Sequence, residues 1–77
     1  MNIDRLRETR EENNLTQKEV ANILTTSQQQ YSKYELGIRI IPIEKLCVLA
    51  NYYNTSIDYL LGRTDEKKPY AKSVLKK

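Results

Sequence analysis

Hydrogen-bonding side chains are concentrated in one short stretch of this 77-residue chain, at Gln28, Gln29, Ser32 and Lys33. Carboxamide, hydroxyl and ammonium groups can recognise the polar edges of another molecule, but they do not break covalent bonds. The chain has no His and one Cys, which excludes a Cys–His couple, a zinc site and an internal disulfide. Only scattered carboxylates remain as general bases, so we expect no enzyme, no metal and no cofactor.

The net charge of +3 comes entirely from the C-terminal segment. Residues 1–63 hold eight basic and eight acidic side chains, and residues 64–77 hold five Lys against two acids. The basic pI is therefore weak support for nucleic-acid binding, and the positions of the charges matter more. The N-terminus is densely charged and no apolar run approaches the ~18 residues that span a membrane, so we expect a cytoplasmic protein without membrane contact.

Two helices and a short join position the polar stretch. A capping box of Thr16 and Glu19 predicts the start of the second helix, and Ser27 with Gln30 predicts a second box that starts the third. Gly37 ends the third helix. Because only about three residues join the two helices, they must cross steeply, as in a helix-turn-helix.

Three further helices are predicted around this pair. The first runs from about Ile3 to Asn13, Pro42 opens the fourth, and Ser56 caps a fifth that ends at Gly62. The expected inward positions of the five helices follow helical spacing: Ile3, Leu6, Arg10, Asn13, Val20, Ala21, Leu24, Tyr31, Tyr34, Glu35, Ile43, Leu46, Ala50, Tyr53, Ile57, Leu60 and Leu61.

Other residues allow two interpretations each. Cys47 lies beside Leu46 and is expected to be a small buried side chain rather than a redox group. Tyr52 and Tyr59 fall off the inward stripes and form either part of a two-fold interface or scattered surface aromatics.

We place the domain boundary after residue 63 and interpret residues 64–77 as a flexible basic tail.

The ordered set of motifs resembles the Cro/repressor (Xre-type) helix-turn-helix family over residues 3–62. The resemblance is carried by Thr16-Gln-Lys-Glu-Val-Ala, by Ser27-Gln-Gln-Gln-Tyr-Ser-Lys-Tyr-Glu-Leu-Gly37, by Ile41–Ala50 and by Ser56–Gly62. It implies an all-α, compact five-helix lambda-repressor-like fold that binds DNA through helices 2 and 3. The family usually has Gly at the place of Thr25, so we expect a distorted turn there. It usually has Ile or Val at the place of Tyr31, so we expect different packing under the third helix.

The resemblance gives roles to the polar residues. Gln28, Gln29, Ser32 and Lys33 would read base edges in the major groove, since Gln can bond bidentately to adenine and Lys can reach guanine. The alternative is that they are ordinary solvated side chains. Expected phosphate contacts are Gln17, Ser27 and Arg39, and the alternative for Arg39 is a loop charge in water.

Arg10 and Glu35 are charges on two inward faces. Burying either alone would be costly, so we expect them to pair. The family carries this pair as a structural salt bridge.

These observations predict a sequence-specific transcriptional regulator, a repressor that acts by occupying operator DNA. The expected partner is a pseudo-palindromic duplex bound by a homodimer. The alternative is an antitoxin with the same DNA-binding domain, whose toxin partner would bind residues 64–77. A protein-interaction module that has lost DNA binding is disfavoured by the outward polar set on the third helix.

Overall fold

The computed structural model describes residues 4–69, and all regular structure in that range is helical. The predicted all-α fold of five helices is confirmed. None of these helices is long and apolar enough to cross a membrane. The helices are α1 (Asp4–Glu12), α2 (Gln17–Ile23), α3 (Gln28–Glu35), α4 (Ile43–Tyr52) and α5 (Ile57–Leu60). α3 packs against α1 and α2, and α5 packs against α1 and α4.

Side-chain caps begin two helices as the sequence predicts. At α2 the Glu19 N–H donates to Thr16 Oγ1 at 3.1 Å, and the Thr16 N–H donates to Glu19 Oε1 at 2.8 Å. This reciprocal pair is the predicted capping box. At α5 the Ser56 hydroxyl accepts the Tyr59 N–H at 3.0 Å. Each cap satisfies a backbone donor that the first turn of a helix leaves without a partner.

The second predicted capping box is only half correct. Ser27 Oγ accepts the Gln30 N–H at 3.1 Å and so caps α3. The Gln30 side chain does not return to Ser27, because its Nε2 donates to the Tyr34 hydroxyl at 3.3 Å. Tyr34 lies one turn further along α3 and offers a partner that the sequence motif alone does not reveal. The Gln30 side chain therefore forms an i, i+4 hydrogen bond within α3.

The turn between α2 and α3 keeps its left-handed residue although that residue is not Gly. Thr25 has φ 57°, and the Thr26 N–H donates to Ala21 O at 2.9 Å to close the end of α2. The turn therefore closes with a β-branched residue in the left-handed region, and its strain lies in the Thr25 backbone. Lys45 reaches over from α4 and its Nζ donates to Leu24 O at 3.0 Å, which satisfies a carbonyl at the end of α2.

A single apolar core joins the five helices. Tyr31 lies at its centre with no exposed surface, so the core accommodates a phenol at this position. The expected burial is confirmed for most inward positions, while Ile3 lies outside the described residues. The buried apolar residues are Leu6, Val20, Ala21, Leu24, Tyr31, Tyr34, Ile41, Leu46, Leu49, Ala50, Tyr59 and Leu60, with Leu15, Tyr53, Ile57 and Leu61 packed against them.

Four burial predictions are wrong. Cys47 is exposed, because it follows Leu46 by one residue and therefore lies about 100° around the helix from it. Ile43, at the first position of α4, and Asn13, beyond the end of α1, are also exposed. Tyr59 is buried rather than available for an interface, because the Arg5 guanidinium lies 4.1 Å from its ring centroid.

The start of the predicted tail contacts the helical domain. Arg5 Nη1 donates to Thr64 O at 3.2 Å, and Arg5 forms an ion pair with Asp65 at 3.2 Å. The Thr55 hydroxyl donates to Lys67 O at 2.6 Å. Residues 64–67 therefore run along α1 and the α4–α5 turn, and residues 70–77 lie outside the described range.

The strained turn generates the first prediction. A β-branched residue in the left-handed region costs about 1–2 kcal/mol, whereas Gly adopts it freely and loses about 0.5–1 kcal/mol of that gain to backbone entropy. We expect Thr25→Gly to raise the melting temperature by a few degrees, measured by circular dichroism. The control is Thr26→Gly, which should lower it because residue 26 does not have positive φ. A lower melting temperature for Thr25→Gly would contradict the assigned strain.

Candidate nucleic-acid interface

α3 has one buried side and one polar side. Tyr31, Tyr34 and Glu35 lie at i, i+3 and i+4 and are buried against the other helices. On the opposite side Gln29 and Lys33 are exposed and Ser32 is half-buried, while Gln28 lies at the edge of that side and is exposed in the first turn of the helix. The four predicted base-reading residues therefore all lie on α3, three on its outer side and Gln28 at the edge of it. Helix α3 is eight residues long, roughly 12 Å.

The predicted phosphate contacts lie at three places around this face. Ser27 is exposed at the start of α3, and Arg39 is exposed in the loop after its end. The Arg39 guanidinium takes part in no ion pair within residues 4–69. Gln17 is half-buried at the first position of α2, and its Nε2 donates to Glu35 Oε1 at 3.0 Å. This contact fixes the Gln17 carboxamide beside α3.

The Arg10–Glu35 pair lies beneath the polar face and joins α1 to α3. Arg10 Nε donates to Glu35 Oε2 at 2.7 Å and Nη2 donates to Oε1 at 3.2 Å, a bidentate arrangement. The Glu35 side chain is 3% exposed and that of Arg10 is 12% exposed. Arg10 Nη1 also donates to Leu15 O at 2.9 Å, so one guanidinium spans α1, the α1–α2 loop and α3.

The electrostatics of the pair keep both partners charged. Burial by itself would raise the pKa of Glu35, but the hydrogen bonds from Arg10 and Gln17 outweigh burial, and the pKa of this carboxyl is lowered. The hydrogen bond to Glu35 raises the pKa of Arg10. A buried carboxylate with three donors is thus the fixed point against which α3 is oriented.

Two tyrosines surround this carboxylate from the core side. Burial, and then the nearby Glu35 charge, raise the pKa of the Tyr31 phenol far above its usual range and that of Tyr53 to about 12. Both phenols are therefore neutral at pH 7. Their aromatic rings fill the space under α3 while the charge is matched by Arg10.

Sequence reasoning missed three contacts that position the interface. Gln17 was assigned to phosphate alone, and its bond to Glu35 joins positions 18 residues apart on different helices. Lys45 enters the sequence analysis only as one of the eight basic residues of residues 1–63, although its Nζ donates to the Leu24 carbonyl at the end of α2. Arg5 donates to Tyr59 O at 2.9 Å and ties α1 to α5. No local signal marks these residues, because each partner is distant in sequence.

Comparison with known proteins agrees with this geometry. The helix-turn-helix family model matches residues 6–60, which covers all five helices except the first two residues of α1. The chain belongs to the helix-turn-helix family. Among solved structures, none matches the chain significantly.

Curated relatives from Bacillus subtilis (strain 168) are similar over nearly the whole chain. The chain is 36% identical to the uncharacterized HTH-type transcriptional regulator YobD over 69 residues, which is 90% of this chain and 62% of YobD. It is 35% identical to the HTH-type transcriptional regulator AnsR over 74 residues, 96% of this chain and 64% of AnsR. For the HTH-type transcriptional regulator ImmR the identity is 38% over 73 residues, 95% of this chain and 58% of ImmR. The chain therefore spans about three fifths of the length of these relatives.

Removing one partner of the buried pair should destabilise the domain strongly. Glu35→Ala leaves the Arg10 guanidinium buried without its counter-charge, and we expect a loss of about 3–5 kcal/mol in the free energy of unfolding. Urea denaturation followed by circular dichroism measures this change. Glu44→Ala is the control, because Glu44 is exposed on α4 and its loss should cost under about 0.5 kcal/mol. Equal losses in the two variants would contradict the structural role of the pair.

The lowered pKa of Glu35 also predicts an acid-dependent stability. The folded state holds a proton on this carboxyl less tightly than the unfolded state, so its contribution is present above the ordinary pKa of 4.5 and is lost as the pH falls through the lower folded value. We expect the free energy of unfolding to fall more steeply below pH 4.5 in the wild type than in Glu35→Gln. Urea titrations between pH 3 and 7 measure both slopes, and parallel curves would refute the assignment.

Proposed function

We propose that this chain is a sequence-specific DNA-binding transcriptional regulator that represses by occupying operator DNA, with α3 in the major groove. The observation that carries this proposal is the division of α3 into two sides. Glu35 is paired with Arg10 on the inner side, while Gln29 and Lys33 are exposed on the outer side and Gln28 is exposed at its edge, in the first turn. A recognition helix needs both features, since its base contacts require a fixed orientation and a free polar face.

The outer face matches the chemistry of base edges. A Gln carboxamide donates and accepts at once, and so can form two bonds to N6 and N7 of adenine. Lys33 can donate to O6 or N7 of guanine or to a phosphate, and the Ser32 hydroxyl adapts to donors or acceptors. The Gln30 amide is held by Tyr34, which favours Gln28 and Gln29 as the readers.

Phosphate contacts would fix the register of α3 in the groove. Gln17 Nε2 uses one of its two hydrogens on Glu35, and the second remains for a phosphate oxygen. This arrangement fits the backbone contact that the family makes with the matching Gln. Ser27 and Arg39 would bind the phosphates on either side of α3, Ser27 at its start and Arg39 beyond its end.

A homodimer on a pseudo-palindromic site completes the proposal. Roughly 12 Å of helix spans only three to four base pairs, at 3.4 Å per base pair. So short a DNA sequence cannot define a unique binding site in a genome. Two copies with α3 helices 34–36 Å apart would read successive major grooves on one side of the duplex. YobD, AnsR and ImmR are named as transcriptional regulators, which favours regulation over the alternative of an antitoxin with a toxin partner.

Gln28 and Gln29 provide the direct test. Selection from a random duplex pool first yields the preferred DNA. We expect Gln28→Ala or Gln29→Ala to weaken binding to that DNA by about 1–3 kcal/mol while leaving the melting temperature unchanged, since both side chains are exposed. Fluorescence anisotropy titrations measure the affinity.

The matched control for this test is Asn51→Ala. Asn51 is an exposed amide on α4, away from α3, and its loss should not change the affinity. If both Gln variants bind the selected DNA as tightly as the control, α3 is not the recognition helix. If the wild-type chain retains no duplex above background, DNA binding itself is refuted.

A further inference from the structure

A cavity of about 300 Å³ lies where the last turn of α1 meets the turn between α4 and α5. Thr9, Glu12 and Asn13 form one wall, residues 53–55 form the opposite one, and Tyr59 and Lys67 complete the lining. No lining residue belongs to α2 or α3, so the cavity is separate from the proposed DNA contacts. Its volume is at the lower end of the range for small-molecule sites, which limits an occupant to a compact molecule.

The C-terminal ends of two helices meet at this cavity. α1 ends at Glu12 and α4 ends at Tyr52, so both helices bring the negative end of their dipole to its walls. The last turn of α4 contains no basic residue. The last turn of α1 contains Arg10, but that guanidinium is bonded to Glu35 and does not line the cavity. Neither helix end is therefore neutralised by a cation from its own helix at this place.

An ammonium group of the chain itself already lies at the cavity. Lys67 Nζ donates to Glu12 Oε1 at 3.3 Å, and the Lys67 backbone carbonyl accepts a hydrogen bond from the Thr55 hydroxyl at 2.6 Å. The position of Lys67 shows which charge the two helix ends and the carboxylate favour. The ion pair is exposed, with 64% of the Lys67 side chain and 53% of the Glu12 side chain accessible, so it is weak and can be exchanged.

The remaining wall groups suit an alkyl chain that ends in a hydrogen-bond donor. The rings of Tyr53 and Tyr59 offer apolar surface. Thr9 and Tyr53 each carry a buried hydroxyl with no hydrogen-bond partner among residues 4–69. A donor in the cavity can recruit such a hydroxyl without breaking an existing hydrogen bond. A divalent metal ion fits poorly, because Glu12 is the one carboxylate among the lining residues and such ions need several oxygen ligands.

We propose that this cavity binds a small organic cation of the primary alkylammonium class. Its ammonium group takes the place of the Lys67 ammonium beside Glu12, and its alkyl chain lies against the tyrosine rings. Binding removes one of the contacts that hold residues 64–67 on α1, since the Lys67 side chain loses its partner. The inference does not depend on DNA binding, because no lining residue is among the proposed base or phosphate contacts.

The test uses n-butylammonium chloride as the probe in a ¹H–¹⁵N NMR titration of the 77-residue chain. One exposed ion pair is exchanged for another and only a short alkyl chain is buried, so we expect a dissociation constant in the millimolar range. The backbone amides of Asn13, Asn54 and Thr55 should shift and reach saturation. n-Butanol, which has the same alkyl chain without the charge, should bind at least tenfold more weakly, and sodium chloride at the same ionic strength should leave these amides unshifted.

Two matched pairs of variants separate the cavity from the net charge of the surface. Glu12→Gln and Glu11→Gln each remove one negative charge near the end of α1, but only Glu12 lines the cavity. We expect Glu12→Gln to weaken butylammonium binding at least tenfold and Glu11→Gln to change it little. Lys67→Ala and Lys68→Ala each remove one positive charge, but only Lys67 is bonded to Glu12. Lys67→Ala should tighten binding several-fold, because the competing ammonium is gone, and Lys68→Ala should not.

Several results would overturn the inference. Equal effects within each pair of variants mean that butylammonium responds only to net charge. Shifts that are absent, that do not saturate or that spread evenly over the domain mean that the cavity is not a binding site, and equal affinity for n-butanol means that charge plays no part. All four substituted side chains are exposed, so the variants should keep the wild-type fold, and the same spectra check this directly. None of these results bears on the proposed function, which is tested with DNA.

Discussion

The buried Arg10–Glu35 pair fixes the relation between the frame of the domain and its third helix. A carboxylate with 3% of its side chain exposed is stable in the ionised form only because Arg10 meets it with two donors and Gln17 with a third. Since the three partners belong to α1, α2 and α3, small rotations of any of these helices would break a bond to a charge in a poorly solvated place. The orientation of α3 is therefore set by electrostatics as well as by apolar packing.

The outer surface depends on that constraint. With Tyr31, Tyr34 and Glu35 held inside, the helical period leaves Gln29 and Lys33 outside, and Gln28 is exposed because it lies in the first turn. The tight turn before α3 has a cost of its own, because Thr25 takes a left-handed conformation and Lys45 is needed at the end of α2. The contacts that hold the inner side of α3 in the core thus also leave its polar side exposed, and no further structural element is needed to expose it.

The amino-acid sequence determined the number of helices, the caps at Thr16 and Ser56, the break at Gly37 and the pairing of Arg10 with Glu35, because these follow from local hydrogen bonding, helical period and the cost of an isolated charge. Only the tertiary structure decided the contacts and burial of residues whose partners are distant in sequence. The Gln30 side chain bonds to Tyr34, and the Tyr59 ring packs under Arg5. Cys47 and Ile43 are exposed, because no element within residues 4–69 covers that side of α4. Periodicity defines the faces of a helix, but the neighbours that the chain brings back to it decide which faces are buried.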